Sequence, residues 1–152
     1  MPLYLVRHAK AGSRHDFDGP DRSRPLTAPG RAQAAALADR LGDEPISQLL
    51  SSPFVRCRQT LEPLGLRLGL PVEDVDALAE GGSFAVVIDL MATLPDHAVL
   101  SSHGDLIPDV IAALERRGTV IDGDADWRKG AVWVIERDGD KIARARAIAP
   151  PG

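Results

Sequence analysis

A chain of 152 residues, 44% of them apolar, fits one domain spanning 1–152 that buries roughly 70% of its unfolded surface. The net charge of −4 argues against general nucleic-acid affinity, and no stretch nears the ~20 apolar residues a membrane span needs. The single cysteine, Cys57, excludes an internal disulfide framework and fits a reducing cytoplasm, and the start at Pro2-Leu3-Tyr4-Leu5-Val6 lacks the basic segment of a secretory signal.

Strand and helix patterns then alternate, which predicts an α/β fold: a three-layer α/β/α sandwich around a mostly parallel sheet. Residues 2–7 read as a central strand, and the polar stretch 10–26 as a loop over the site. Thr27 is placed to cap an Ala-rich helix running to Leu41, with Gly42 as its stop. A second strand covers 46–50. Pro53 suits the first turn of a helix carrying Arg56, Leu61 and Leu64, which Pro63 should kink or break. Residues 72–78 read as a short edge strand. Ser83 is placed to cap a helix that ends before Pro95, and 98–102 is a buried strand. A helix covers 106–117, with Pro108 in its first turn and Gly118 beyond its end. Residues 118–130 read as a loop, and 132–137 with 142–148 as a hairpin closed by Asp138-Gly139-Asp140.

Two histidines sit in matching settings. His8 closes the apolar run Leu3–Val6, and His103 closes Ala98–Leu100 through Ser101-Ser102. In an open α/β sheet, ligands bind beyond the carboxyl ends of the strands. If these two strands are neighbours, both imidazoles enter one pocket. Charge is also unevenly spread: residues 1–31 hold six basic and three acidic side chains, whereas 71–110 hold eight acids and no Lys or Arg. An acidic protein with a basic N-terminal segment can focus positive potential on a small anion.

Phosphoryl transfer needs fixed cations for the equatorial oxygens, an in-line nucleophile and an acid for the leaving oxygen. Arg binds two phosphate oxygens at once through its planar fork. The chain offers Arg7, Arg24 and Arg56 as clamps, His8 or His103 as nucleophile, and Glu80 as acid. A helix N-terminus just before Arg56 adds backbone N–H groups. The attacking nitrogen must be unprotonated, and burial beside Arg charges lowers an imidazole pKa. That assigns attack to His8, beside Arg7, and a donor role to His103, whose neighbour Gly104 lets backbone approach the ligand.

Leu5-Val6-Arg7-His8-Ala9, Arg24-Pro25-Leu26-Thr27 with Gly30, Ser51-Ser52-Pro53 with Arg56, Gln59 and Thr60, and Ser102-His103-Gly104 together resemble the histidine phosphatase superfamily. The branch is the phosphoglycerate-mutase-like one, and the short chain is similar to its SixA-type phosphatases. Ala9 replaces the usual Gly, a change common in the SixA-type group. The resemblance implies a phosphoglycerate-mutase-like fold and a transient phosphohistidine on His8. It also implies phosphoryl binding by Arg7, Arg56 and His103, Arg24 as a further pocket residue, and no metal or other cofactor. Glu80 falls where larger members place their proton donor. The loop from Arg7 to Ser13 and Asp21-Arg22-Ser23-Arg24-Pro25-Leu26 also look like the phosphatase domain attached to some MutT-type Nudix hydrolases. That similarity implies nucleoside diphosphates as substrates, with Lys10 and Ser13 at the phosphate chain or sugar.

The expected partner is therefore a small phosphorylated molecule, a nucleotide among them, or a phosphohistidine protein, in an open pocket. The alternative is a non-catalytic phosphate-binding or regulatory module on the same fold. Cys57 lacks the Arg six residues on that a thiol phosphatase loop needs. The acids Asp122, Asp124 and Asp126 lack the Gly and terminal Glu of a calcium loop and read as solvated. Trp127 and Trp133 read as packing residues.

Overall fold

The structure is a computed structural model that describes residues 2–151. Strands β1 (Pro2–Arg7), β2 (Gln48–Ser51), β3 (Val72–Asp74), β4 (Ala98–Ser102), β5 (Val120–Asp122), β6 (Val132–Asp138) and β7 (Lys141–Ile148) form one sheet. Their order across it is β3-β2-β4-β1-β6-β7-β5. The pairs β1–β4, β2–β4, β2–β3 and β5–β7 are parallel, and only β6 runs against its neighbours. The mostly parallel sheet read from the sequence is the one observed.

Helices α1 (Ala28–Leu41) and α2 (Val55–Leu68) cover one face, and α3 (Phe84–Thr93) and α4 (Leu106–Arg116) cover the other. The period-2 alternation of β1 explains the two cores. Leu3 and Leu5 pack with Val87, Met91, Val110 and Leu114, while Tyr4 and Val6 pack with Leu37, Leu41, Leu61 and Leu64. In α1, Ala34, Leu37, Ala38 and Leu41 make one stripe at helical spacing, and all four are buried. Thr27 caps this helix: its hydroxyl accepts from the Gly30 amide at 3.1 Å. No described helix is long and apolar enough to cross a membrane.

Several expectations change. α2 passes through Pro63 from Val55 to Leu68 without a break. Cys57, Leu61 and Leu64, on both sides of the proline, are fully buried, and that burial outweighs the lost hydrogen bond. Of the expected 72–78 strand only Val72–Asp74 forms β3, because the chain stays extended through Val75 and then turns at Asp76–Leu78 as a short 3₁₀ segment. The second strand is Gln48–Ser51, shifted from 46–50. The hydroxyl of Ser83 makes no cap hydrogen bond. The loop predicted for 118–130 contains β5, which extends the sheet beyond β7. The hairpin is as expected: Asp138 faces Lys141, and Gly139 takes φ +65° in the two-residue turn.

Candidate active site

The register of the sheet places both histidines. Arg7 lies opposite Ser102 in the β1–β4 pair, and the His8 amide continues the ladder by donating to the Ser102 carbonyl at 3.0 Å. The two rings therefore leave adjacent strands at one level, with centroids 5.6 Å apart and planes at 68°. On the other side of β4, the Ser52 amide donates to the Ser101 carbonyl, and Ser52 Oγ lies 2.8 Å from His103 Nε2. A crevice of about 320 Å³ opens over these strand ends and includes Arg7, His8, Arg24, Arg56, Glu80 and His103 in its lining.

Arg56, in the first turn of α2, is 1% exposed and lies over the Phe54 ring at 5.0 Å. Its Nη1 and Nη2 donate to the Asp21 carbonyl oxygen (2.9 Å) and to Asp21 Oδ2 (3.1 Å). Arg24 donates through Nε to Asp21 Oδ1 at 2.9 Å and through Nη1 to the Gly12 carbonyl. Arg7 donates through Nη1 to the Trp127 carbonyl at 2.6 Å. Buried Nε atoms of Arg7 and Arg56 have no hydrogen-bond partner. An orphaned guanidinium donor next to a crevice fits a site that an oxyanion completes.

Both imidazoles are neutral. Burial is the main cause that lowers the His8 pKa to about 3; the hydrogen bond to Ala9 opposes it, and the charges of Arg56, His103 and Arg7 reinforce it. The His8 Nδ1 lies 2.8 Å from the Ala9 carbonyl, which can only accept, so Nδ1 carries the hydrogen and Nε2 keeps its lone pair. His103 is pushed down to about 4, by burial first and then by Arg56. Ser52 Oγ accepts from the Phe54 amide at 3.3 Å and pairs with His103 Nε2 at 2.8 Å, which fixes the orientation of the His103 ring.

Ser13 and Gly104 also line the crevice, whereas Lys10 lines a separate hollow. The structure gives Gly104 a further role. A Cβ there would lie 2.5 Å from Arg7 Cζ, so the missing side chain makes room for the guanidinium. Glu80 sits at the edge, 3.0 Å from Arg14 Nη2 and 3.6 Å from Arg56 Nη2. Its loop is tied down where Asp105 accepts from the Gly81 amide at 2.8 Å.

Three residues of the site were not singled out by the sequence. Asp21 gathers Arg24, Arg56 and Arg14 onto one carboxylate. Burial alone would raise its carboxyl pKa, but the Arg24 hydrogen bond and the Arg56 charge hold it below the usual value. Its signal was an Asp three residues before an Arg in a basic loop. Arg14, though exposed, lines the mouth of the crevice and pairs with Asp21 and Glu80. Lys129 reaches it because the following Gly130 amide donates to the carbonyls of Arg7 and His8, a contact across the sheet with no local signature. Cys57 is buried beside His103, with burial pushing its thiol up to about 12, which leaves no thiolate for attack. Among the described residues no group of three or more His, Cys, Asp or Glu is placed to hold a metal ion.

A model of the histidine phosphatase superfamily (branch 1) matches residues 3–85, more than half of the chain. The chain belongs to that superfamily. Within it the chain is SixA-like in both sequence and fold. It is 31% identical to the phosphohistidine phosphatase SixA of Escherichia coli over 75% of this chain and 74% of that protein. It is 32% identical to an 8-oxo-(d)GTP phosphatase of Mycolicibacterium smegmatis over 98% of this chain but only 48% of that protein, so it spans about half that relative's length. Among solved structures, a SixA protein histidine phosphatase with bound tungstate superposes with a TM-score of 0.77 at 24% identity, covering 98% of this chain and 95% of that one.

Proposed function

We propose that this chain is a phosphatase working through a phosphohistidine on His8 with no metal in the reaction. The observation that supports it most is the neutral, buried His8, whose Nδ1 is committed to Ala9 while its Nε2 lone pair stays available beside Arg7 and Arg56. In the first step Nε2 attacks phosphorus in line and the new P–N bond forms, while the bond to the leaving atom, an oxygen in an ester or diphosphate and a ring nitrogen in a phosphohistidine, breaks as Glu80, protonated in the substrate complex, gives that atom its proton. Arg7, Arg56 and His103 neutralise the moving phosphoryl, with Arg24 as a further clamp. In the second step water attacks phosphorus, Glu80 takes its proton, and the P–N bond breaks to release phosphate and restore His8.

The substrate is a phosphomonoester, a phosphohistidine or a nucleoside diphosphate. Ser13 and the neighbourhood of Gly104 meet the substrate inside the crevice, and Lys10 meets it outside. The likeness to SixA supports the phosphohistidine and the likeness to the M. smegmatis enzyme supports the nucleotide. Turnover of p-nitrophenyl phosphate in EDTA tests the reaction. The wild-type protein is expected to release phosphate, and His8→Ala to release none. A wild type inert toward every phosphorylated probe would leave only phosphate binding.

A further inference from the structure

Lys129 stands between two hollows. On one side lies the crevice, lined by Arg7, Arg14, Arg24 and Arg56. On the other lies a second hollow of about 310 Å³, lined by Lys10, Gln33, Arg128, Lys129 and Pro150. Burial lowers the Lys129 pKa, and the charges of Arg7, Arg24, Arg56 and Lys10, all of one sign, lower it further. Among the described residues neither Lys129 nor Lys10 has a carboxylate partner, whereas Arg128 is already neutralised by Asp126, with Nη2 2.6 Å from Oδ2. A partly buried ammonium ringed by like charges is unfavourable in the empty protein, and a bound anion relieves it.

The hollow is also built rather than incidental. The side chain of Gln33, 9% exposed on α1, accepts from the Lys10 amide at 2.9 Å and donates to the Lys129 carbonyl at 3.4 Å. One amide group thereby fixes both lysine-bearing segments to the same helix. Gly30 sustains the arrangement from below. A Cβ there would meet the Lys10 carbonyl oxygen at 1.9 Å, so only glycine lets α1 pack so close.

We propose that Lys129 and Lys10 form a second anion subsite, beside the crevice, that holds the non-transferred phosphate of a small diphosphate-bearing substrate. The inference rests on the phosphatase reading of the crevice and narrows it, because a monoester leaves this subsite empty. Lys129 bridges the transferred and the retained phosphate, and Lys10 marks the outward path of the chain.

Titration calorimetry in EDTA with inorganic orthophosphate and pyrophosphate tests it, using the wild-type protein, Lys10→Met and Lys129→Met. The wild type is expected to prefer pyrophosphate, and each variant to lower the pyrophosphate-to-orthophosphate affinity ratio about tenfold, as loss of one charged hydrogen bond implies. Lys129→Met is also expected to raise the melting temperature of the unliganded protein, which separates loss of a ligand contact from loss of fold. A ratio unchanged in both variants, or no pyrophosphate preference in the wild type, overturns the subsite. A retained preference without turnover of p-nitrophenyl phosphate overturns the catalytic reading while upholding the subsite.

Discussion

Replacing Gly104 by Ala adds a single methyl group at the point where the site has no room for it. The new Cβ would stand 2.5 Å from Arg7 Cζ and 2.7 Å from both Nε and Nη2. Carbon contacts settle near 3.5 Å, so the guanidinium must retreat by about 1 Å. Gly104 does not adopt a positive φ, so the backbone accepts Ala without strain. The group that must move is the far end of a flexible side chain, which keeps the folding cost small. The functional cost is different, because a misplacement of about 1 Å in a clamp reduces rate by roughly 10²-fold, or about 2.7 kcal/mol of barrier. Steady-state kinetics on p-nitrophenyl phosphate, alongside a thermal melt, reads both quantities. The expected result is kcat/KM down roughly 10²-fold with a nearly unchanged melting temperature. Retained activity would refute the claim that Arg7 must lie where Gly104 allows it.

The buried neutral histidines predict a pH effect on stability. His8 and His103 titrate near 3 and near 4 in the native protein, below the ordinary 6.5, so between those values the unfolded chain holds protons that the native state refuses. Stability is therefore unaffected by these rings above pH 6.5 and falls as pH drops below it, by up to about 1.4 kcal/mol per pH unit for each ring. Urea unfolding at neutral pH and at about pH 5 should show this loss, and a smaller one in His8→Asn. Pro63→Ala restores the missing amide inside α2 and should stabilise the protein by about 1–2 kcal/mol in the same assay, once the lost stiffness of the unfolded chain is subtracted. Thr27→Ala removes the hydroxyl that accepts from Gly30 and donates to the Lys10 carbonyl, and should cost about 1 kcal/mol by denaturant titration.

The parts of this molecule that were legible in its sequence are those set by local pattern. Apolar runs marked β1, β4 and the β6–β7 hairpin, and Thr27 and Gly42 bracketed α1 to the residue. The paired settings of His8 and His103 were visible as well, but their adjacency depends on β1 and β4 pairing across nearly a hundred residues of chain. What escaped was set by distant contacts. Val120–Asp122 becomes a strand only because β7 offers it an edge, and Pro63 is absorbed because burial on both sides of it holds the helix. Lys129 enters the crevice through hydrogen bonds from Gly130 to the end of β1, and Gln33 in an Ala-rich helix gives no hint that it ties two loops together. Asp21 was in plain view within the Asp-Arg-Ser-Arg segment, but its role as common anchor of Arg24 and Arg56 needs α2 folded against the loop.

The most direct test is to quench the protein during turnover of a ³²P-labelled phosphate ester and locate the label by peptide mapping. An acid-labile, base-stable phosphoramidate on His8, absent from His8→Ala, is the predicted result. Label on another residue, or steady turnover with no labelled protein at any time, contradicts nucleophilic attack by this ring.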